Sequence, residues 1–228
     1  MPKAGTSTAR SEPQPLPPRS ALPRRFFAAD PEILARKLLG CTLVRILADG
    51  TRLGGVIVET EAYLGAIDRA AHTFGGRRTA RNESMWGHPG IAYVYFTYGM
   101  HWCMNISAGA LGDPVAVLLR ALRPTEGLER MRELRAAGGR RKTPLADTEL
   151  CAGPARLCQA LAIDRSLDGL DLTAAGSPLF VERRKQDRVS DDQVARGARI
   201  GIAYAGDWAA RPLRFAVRGS PFVSRPRL

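Results

Sequence analysis

The chain has 228 residues, enough for one domain with a sizeable core, and 45% of them are hydrophobic, as in ordinary globular proteins. Its net charge of +12 points to a polyanionic partner, nucleic acid first and an anionic membrane surface second. No apolar run reaches the roughly 18 residues that cross a bilayer, and no Cys or His stands at zinc-ligand spacing, so a transmembrane protein and a zinc module are both disfavoured.

Residues 1–24 are rich in Pro, Ser, Ala and Arg with a single acid, Glu12, and lack apolar periodicity. They read as a disordered basic tail, with an organelle transit peptide as the second reading. The globular domain is expected to span residues 25–228. Asp30-Pro31 is a cap followed by Pro at the first helical position, and Gly40 is a stop. The helix between them should bury Ile33, Leu34, Leu38 and Leu39. Cys41–Leu47 alternates as a strand, 48–51 turns, and Arg52–Tyr63 returns antiparallel to it.

This second strand runs from an apolar stretch, Val56-Ile57-Val58, into Glu59, Thr60, Glu61, Ala62 and Tyr63. Alternation places Glu59, Glu61 and Tyr63 on one face. Acids at the end of an apolar strand are either solvated or put to use, because desolvating them unpaired is costly. Residues 73–90 have no period. The Gly75-Gly76-Arg77-Arg78-Thr79-Ala80-Arg81-Asn82 stretch suits either phosphate contact or a solvated loop. Ile91–Ser107 is the densest aromatic stretch and should form a hairpin turning near Tyr98-Gly99-Met100-His101, with Tyr98 a candidate wedge in a base stack and other tyrosines filling a sheet.

Val115–Leu122 is an apolar strand broken only by Arg120, which needs a carboxylate partner such as Glu61. Pro124 is expected to open a charged helix over Thr125–Ala137, followed by a basic linker, Gly138–Thr143. A second helix, Glu149–Ile163, is interrupted at Gly153-Pro154. A strand is expected at Leu179–Glu182, and two closing strands at Arg199–Tyr204 and Leu213–Val217. The four cysteines (Cys41, Cys103, Cys151, Cys158) read as small buried hydrophobes in a reducing compartment.

Taken together, Glu59–Gly65, Ala70-Ala71-His72, Tyr93-Val94-Tyr95, Tyr98-Gly99-Met100, Cys103–Ser107, Leu118–Leu122, Cys151–Pro154, Pro212–Phe215 and Val217–Pro221 resemble, in order, the alkyladenine (3-methyladenine) DNA glycosylases of the non-helix-hairpin-helix kind. The resemblance covers about 35–224. It implies a single mixed α+β domain: a curved, mostly antiparallel sheet, surrounding helices and a protruding hairpin, like a formyltransferase C-terminal domain. It also implies base-excision repair of alkylated duplex DNA by base flipping. The expected lesion is 3-methyladenine, with 7-methylguanine, hypoxanthine and ethenoadenine as further candidates. By the same resemblance Glu61 is the general base, while Arg120 and the backbone carbonyl of Ile200 help hold the water. Tyr63, His72 and Tyr95 wall the base pocket, backbone groups of Ala70 and His72 read the base edge, and Asn105 forms part of the floor. Tyr98, with Met100, enters the vacated stack, and Arg156 contacts phosphate, while Arg77 and Arg81 are the phosphate candidates offered by the basic 75–82 loop itself. Arg156 stands where the family pattern has Lys, and Tyr204 where it has a smaller or His-containing pattern.

No metal or cofactor is implied. A bifunctional lyase needs an amine nucleophile, and only four of the 34 basic residues are lysines (Lys3, Lys37, Lys142, Lys185), all outside the motif segments. The expectation is therefore a monofunctional, monomeric glycosylase without lyase activity, acting on double-stranded DNA and not on membranes. It would be cytoplasmic at the nucleoid in a bacterium, and nuclear or organellar in a eukaryote. The alternative is a non-catalytic damaged-DNA or RNA binding module on the same fold, which could dispense with Glu61 and Arg120.

Overall fold

A computed structural model describes residues 21–97, 99–137, 144–183 and 185–228. Eight strands form one antiparallel sheet: β1 (Cys41–Ile46), β2 (Arg52–Tyr63), β3 (Ala92–Thr97), β4 (His101–Ser107), β5 (Ala116–Glu126), β6 (Leu179–Arg183), β7 (Val194–Gly197) and β8 (Arg214–Val217). The main order is β3-β4-β5-β2-β1-β6. β2 forks: its first half pairs with β1 through Val56, while Glu59–Glu61 pairs with β8, which in turn holds β7. The result is the expected mixed α+β domain with a curved antiparallel sheet.

The elements follow their sequence signals with the following corrections. In α2 (Pro31–Leu38), Asp30 caps the first turn by accepting from the backbone N–H of Glu32 at 2.8 Å, with Pro31 at the first helical position. Leu34, Ala35 and Leu38 face β2 and β5, and each leucine contributes about 1.5–3 kcal/mol by burial. Ile33, expected in the core, is exposed, because it lies about 100° around the helix from Leu34. Pro124 does not open a helix. β5 runs through it to Glu126, with Pro124 opposite Gly55 beside a register irregularity where a ladder N–H is dispensable. The helix, α3 (Leu128–Ala136), starts only after Gly127, whose φ of +72° and close approach to Leu53 and the Arg52 carbonyl exclude a side chain. Arg199–Tyr204 is not a strand: Gly201 takes φ +77°, and β8 pairs instead with β7, which the sequence reading missed.

The Gly153-Pro154 break separates α4 (Asp147–Leu150) from α5 (Pro154–Ala160), and α5 packs on β4, β5 and α3. Residues 21–24, assigned to the tail on sequence, belong to the folded part: Leu22 N–H donates to the Val181 carbonyl at 2.8 Å, Arg24 starts the short helix α1 (Arg24–Phe27), and its side chain pairs with Asp171. The rest of the basic tail and the 138–143 linker lie outside the described residues. All four cysteines are buried thiols, and burial pushes Cys151 up to about 12.

Candidate active site

The site is built on irregularities in the β2–β5 ladder. Ile57 pairs with Leu122 and Glu59 with Ala121, so Val58 is an extra residue on β2; Thr60 then pairs with Leu119, so Arg120 is an extra residue on β5. Such bulges re-aim side chains. Here the second one drives the Arg120 fork between the two acids. Its Nε meets Glu59 Oε1 and its Nη1 meets Glu61 Oε1, both at 3.1 Å. Both carboxylates are fully buried, which removes the solvated-acid reading of this strand end.

Glu61 is held from three sides. Besides Arg120, the N–H of Ile200 donates to Oε1 at 2.8 Å and the Tyr63 hydroxyl donates to Oε2 at 3.0 Å. Burial raises its pKa above the ordinary glutamate range, against the pull of Arg120, the Ile200 N–H and Tyr63. Tyr63 itself is pushed well up by burial and by Glu61, so its phenol keeps its proton and remains a donor.

A cavity of about 350 Å³ opens in front of these groups, lined by Tyr63, Arg120 and Ile200 among others. The strand period supplies one wall. Tyr93, Tyr95 and Thr97 on β3, with Cys103 and Asn105 on β4, share the cavity face, while Val94 and Met104 turn into the core and Phe96 meets Trp102 behind. Tyr93 stacks on Tyr95 at 5.3 Å, and His72 meets Tyr95 edge-on at 4.6 Å. His72 Nδ1 lies 2.8 Å from the Tyr93 hydroxyl. Burial first, then Arg81 and Arg77, lower the His72 pKa to about 4, so the ring is neutral at physiological pH.

The opposite wall is set by a second buried ion pair. Arg199 grips Asp68 bidentately at 2.5 and 2.8 Å, donates to the Ala62 carbonyl at 2.9 Å, and places its guanidinium 4.6 Å from the Tyr63 ring centre. Asp68 also accepts the N–H groups of Leu64 and Ala70, both at 3.0 Å. The segment leading to His72 is thereby pinned to the loop carrying Ile200.

Of the residues anticipated from sequence, Glu61, Arg120 and Ile200 come together, and Tyr63, Ala70, His72, Tyr95 and Asn105 all line the cavity. It is the Ile200 N–H that contacts Glu61. The Ala70 N–H is taken by Asp68, its carbonyl lies 3.4 Å from the Tyr204 hydroxyl, and the His72 carbonyl accepts from Asn82 at 3.1 Å. Met100 is exposed at the hairpin turn, where Gly99 adopts φ +68°; Tyr98 lies outside the described residues. Arg77, Arg81 and Arg156 are exposed, with Arg81 reaching the Phe96 carbonyl at 2.9 Å and sitting 5.5 Å over Tyr95. Glu59, for which the sequence offers no partner, binds both Arg120 and Arg214. Also missed were Asp68, Arg199, Asn82, Tyr93 and Ser224. Of these and Arg214, only Arg214 carried a readable signal, the same Arg within an apolar strand that singled out Arg120.

A buried carboxylate held by Arg, a backbone N–H and a phenol thus stands behind an aromatic-walled cavity of about 350 Å³ in a strongly basic protein. Residues 25–221 match the model of methylpurine-DNA glycosylase, and the chain belongs to that family. It is 53% identical over 201 residues to human DNA-3-methyladenine glycosylase, covering 87% of this chain and 66% of that protein, and 53% identical over 203 residues to the mouse protein of the same name, covering 60% of it. The chain thus spans slightly less than two-thirds of the length of these mammalian relatives. A Burkholderia lata protein, assigned provisionally by its name to 3-methyladenine DNA glycosylase, is 45% identical over 217 residues, covering 95% of this chain and 97% of that one.

Proposed function

We propose that the protein is a DNA glycosylase that removes alkylated purines such as 3-methyladenine from duplex DNA by hydrolysis of the N-glycosidic bond. The observation that carries this reading is Glu61: fully buried, yet bonded only through groups that line the cavity. A purine inside the stack is out of reach, so the nucleotide must be flipped into the cavity, whose volume lies at the small end for ligand sites. An alkylated purine carries positive charge, and the rings of Tyr63, His72 and Tyr95 offer electron-rich faces to it. Glu61 Oε2 accepts the Tyr63 hydroxyl and has capacity for one more donor, the attacking water. Water adds to C1′, the C1′–N bond breaks, the proton passes to Glu61, and the cationic base leaves neutral beside an abasic site. We take the nucleophile to be water rather than an amine: the four lysines lie outside the motif segments, and Lys37, among the described residues, opens on a separate groove with Arg36 and Arg183.

The test is release of 3-methyladenine from methylated duplex DNA by the native protein and by Glu61→Gln. The expected loss is about 10²–10⁴-fold in kcat, with retained binding of damaged DNA. Equal release by both proteins sinks Glu61 as the base, and binding without release by the native protein supports the non-catalytic module. Because the base must be deprotonated and its pKa is raised, release should fall with acidification through a midpoint above the ordinary glutamate range.

A further inference from the structure

Behind the cavity, Glu59 is the hub of a sealed network. Its Oε1 accepts Arg214 Nε at 2.6 Å, the Ser224 hydroxyl at 2.9 Å and Arg120 Nε at 3.1 Å, while Oε2 accepts the Ser224 N–H at 2.7 Å. Arg214, 2% exposed, stands opposite Glu61 in the β2–β8 ladder but leans to Glu59. Its Nη2 ties down the carbonyls of Ser224 at 3.4 Å and Pro226 at 2.6 Å. Two carboxylates thus face two guanidiniums, and only Arg120 touches both acids.

We propose that Arg214 is a positioning residue for the reaction: by satisfying Glu59, it leaves Arg120 free to serve Glu61 and keep that base ionised when water must be activated. This rests on the reading of Glu61 as the base. Without Arg214 the cluster carries one surplus negative charge in a dry environment, and a surplus charge there is removed by proton uptake. Glu59 would keep the two Ser224 donors and draw the Arg120 fork towards itself. Glu61 would keep only the Tyr63 hydroxyl and the Ile200 N–H.

The groups facing Glu61 support this order of events. They are Glu59 and Tyr63 on β2, Tyr95 on β3, Cys103 on β4, Arg120 on β5, Arg214 across the β8 ladder, and Arg199 with the Ile200 N–H on the 199–200 loop. Burial dominates and raises the Glu61 pKa, Arg120 is the strongest influence pulling it back, and Glu59 pushes it up. Whatever decides how Arg120 is shared therefore decides the state of Glu61. Ser224 belongs to the same device, because its hydroxyl also lies 3.3 Å from Arg120 Nη2. The residues after β8 form a strap behind the site.

The experiment is residue-specific ¹³C NMR titration of the Glu59 and Glu61 carboxyls, in native protein and in Arg214→Met, Arg214→Lys and Ser224→Ala, alongside the pH dependence of single-turnover base release. Arg214→Met should raise the Glu61 midpoint by one pH unit or more and lower kcat about tenfold or more at pH values below the native midpoint, with little change in KM. Lys should restore part of the loss, and Ser224→Ala should shift the midpoint in the same direction by less. If Arg214→Met does not fold, the Lys and Ala variants carry the same test through the sign of their shifts. An unmoved Glu61 midpoint in folded variants, or proton uptake by Glu59 instead, overturns the proposal. The NMR midpoint needs no turnover, so failure of Glu61 as the base (active Glu61→Gln) is seen separately from failure of Arg214 to tune it.

Discussion

Beneath the cavity, Glu59, Glu61, Asp68, Arg120, Arg199 and Arg214 are all buried and bonded to one another or to backbone. Around its mouth Arg77, Arg81, Arg156, Met100 and Tyr204 stand in solvent. The two regions use the same residue chemistry under opposite conditions. A charge in the floor is stable only while its partner is present, since taking ions out of water costs several kcal/mol each. A charge at the mouth keeps its hydration and can be replaced singly. On the proposed function, geometry is fixed where the chemistry would fall, and adaptable where duplex DNA would be met.

The sharpest way to break this contrast is to orphan one floor charge away from Glu61. Asp68→Ala leaves Arg199 buried without its carboxylate and frees the N–H groups of Leu64 and Ala70. Loss of one partner of a buried pair costs about 3–5 kcal/mol. Reversible urea unfolding should show a loss of that size, and a loss below about 1 kcal/mol would mean that the floor tolerates orphan charges as the mouth does.

The floor was also the part least legible in the sequence. Arg52–Tyr63 could be read to the residue because β-branched alternation, a turn before it and a helix stop upstream agreed with one another. The cavity wall of Tyr95, Asn105 and His72 was placed by resemblance, and the strand period of 2 on β3 and β4 explains why those positions share a face. The partners of Glu59 are 61 residues away at Arg120 and 165 away at Ser224. The apolar run around Arg120 signalled its need for a carboxylate and Glu61 was a candidate, but no local pattern encodes that Glu59, Arg214 and Ser224 share the same cluster. Arg199–Tyr204 failed for a local reason: Ile200 and Ile202 alternate as in a strand, but they line a cavity, and Gly201 turns the chain between them.

His72 lies between the two regimes, half-buried in the wall with Arg77 and Arg81 near it. Its folded pKa of about 4 lies below the ordinary value of 6.5, so between these values the unfolded chain binds the proton and the folded chain does not. Its contribution is therefore complete above about pH 6.5 and is lost as the pH falls towards 4, by at most about 1.4 kcal/mol per unit. His72→Asn should be less destabilised by acid than the native protein across that window when both are followed by denaturant titration. Parallel curves would mean that the imidazole is as solvated as a mouth residue.

The smallest effect is expected at the mouth itself. Arg156 is exposed on the first turn of α5, two residues after the cavity-lining Pro154, and its one described hydrogen bond is a long 3.4 Å contact to the Ala152 carbonyl. A phosphate contact there would add affinity without reading the base, through release of a condensed counterion. Arg156→Ala should weaken damaged and undamaged duplex alike and lower the slope of log affinity against log salt by about 1. Single-turnover release at saturating protein should be unchanged, because nothing in the floor depends on this side chain. A changed ratio between damaged and undamaged DNA would instead place Arg156 with the groups that select the base, and the division between a fixed floor and a replaceable mouth would have to be drawn further out.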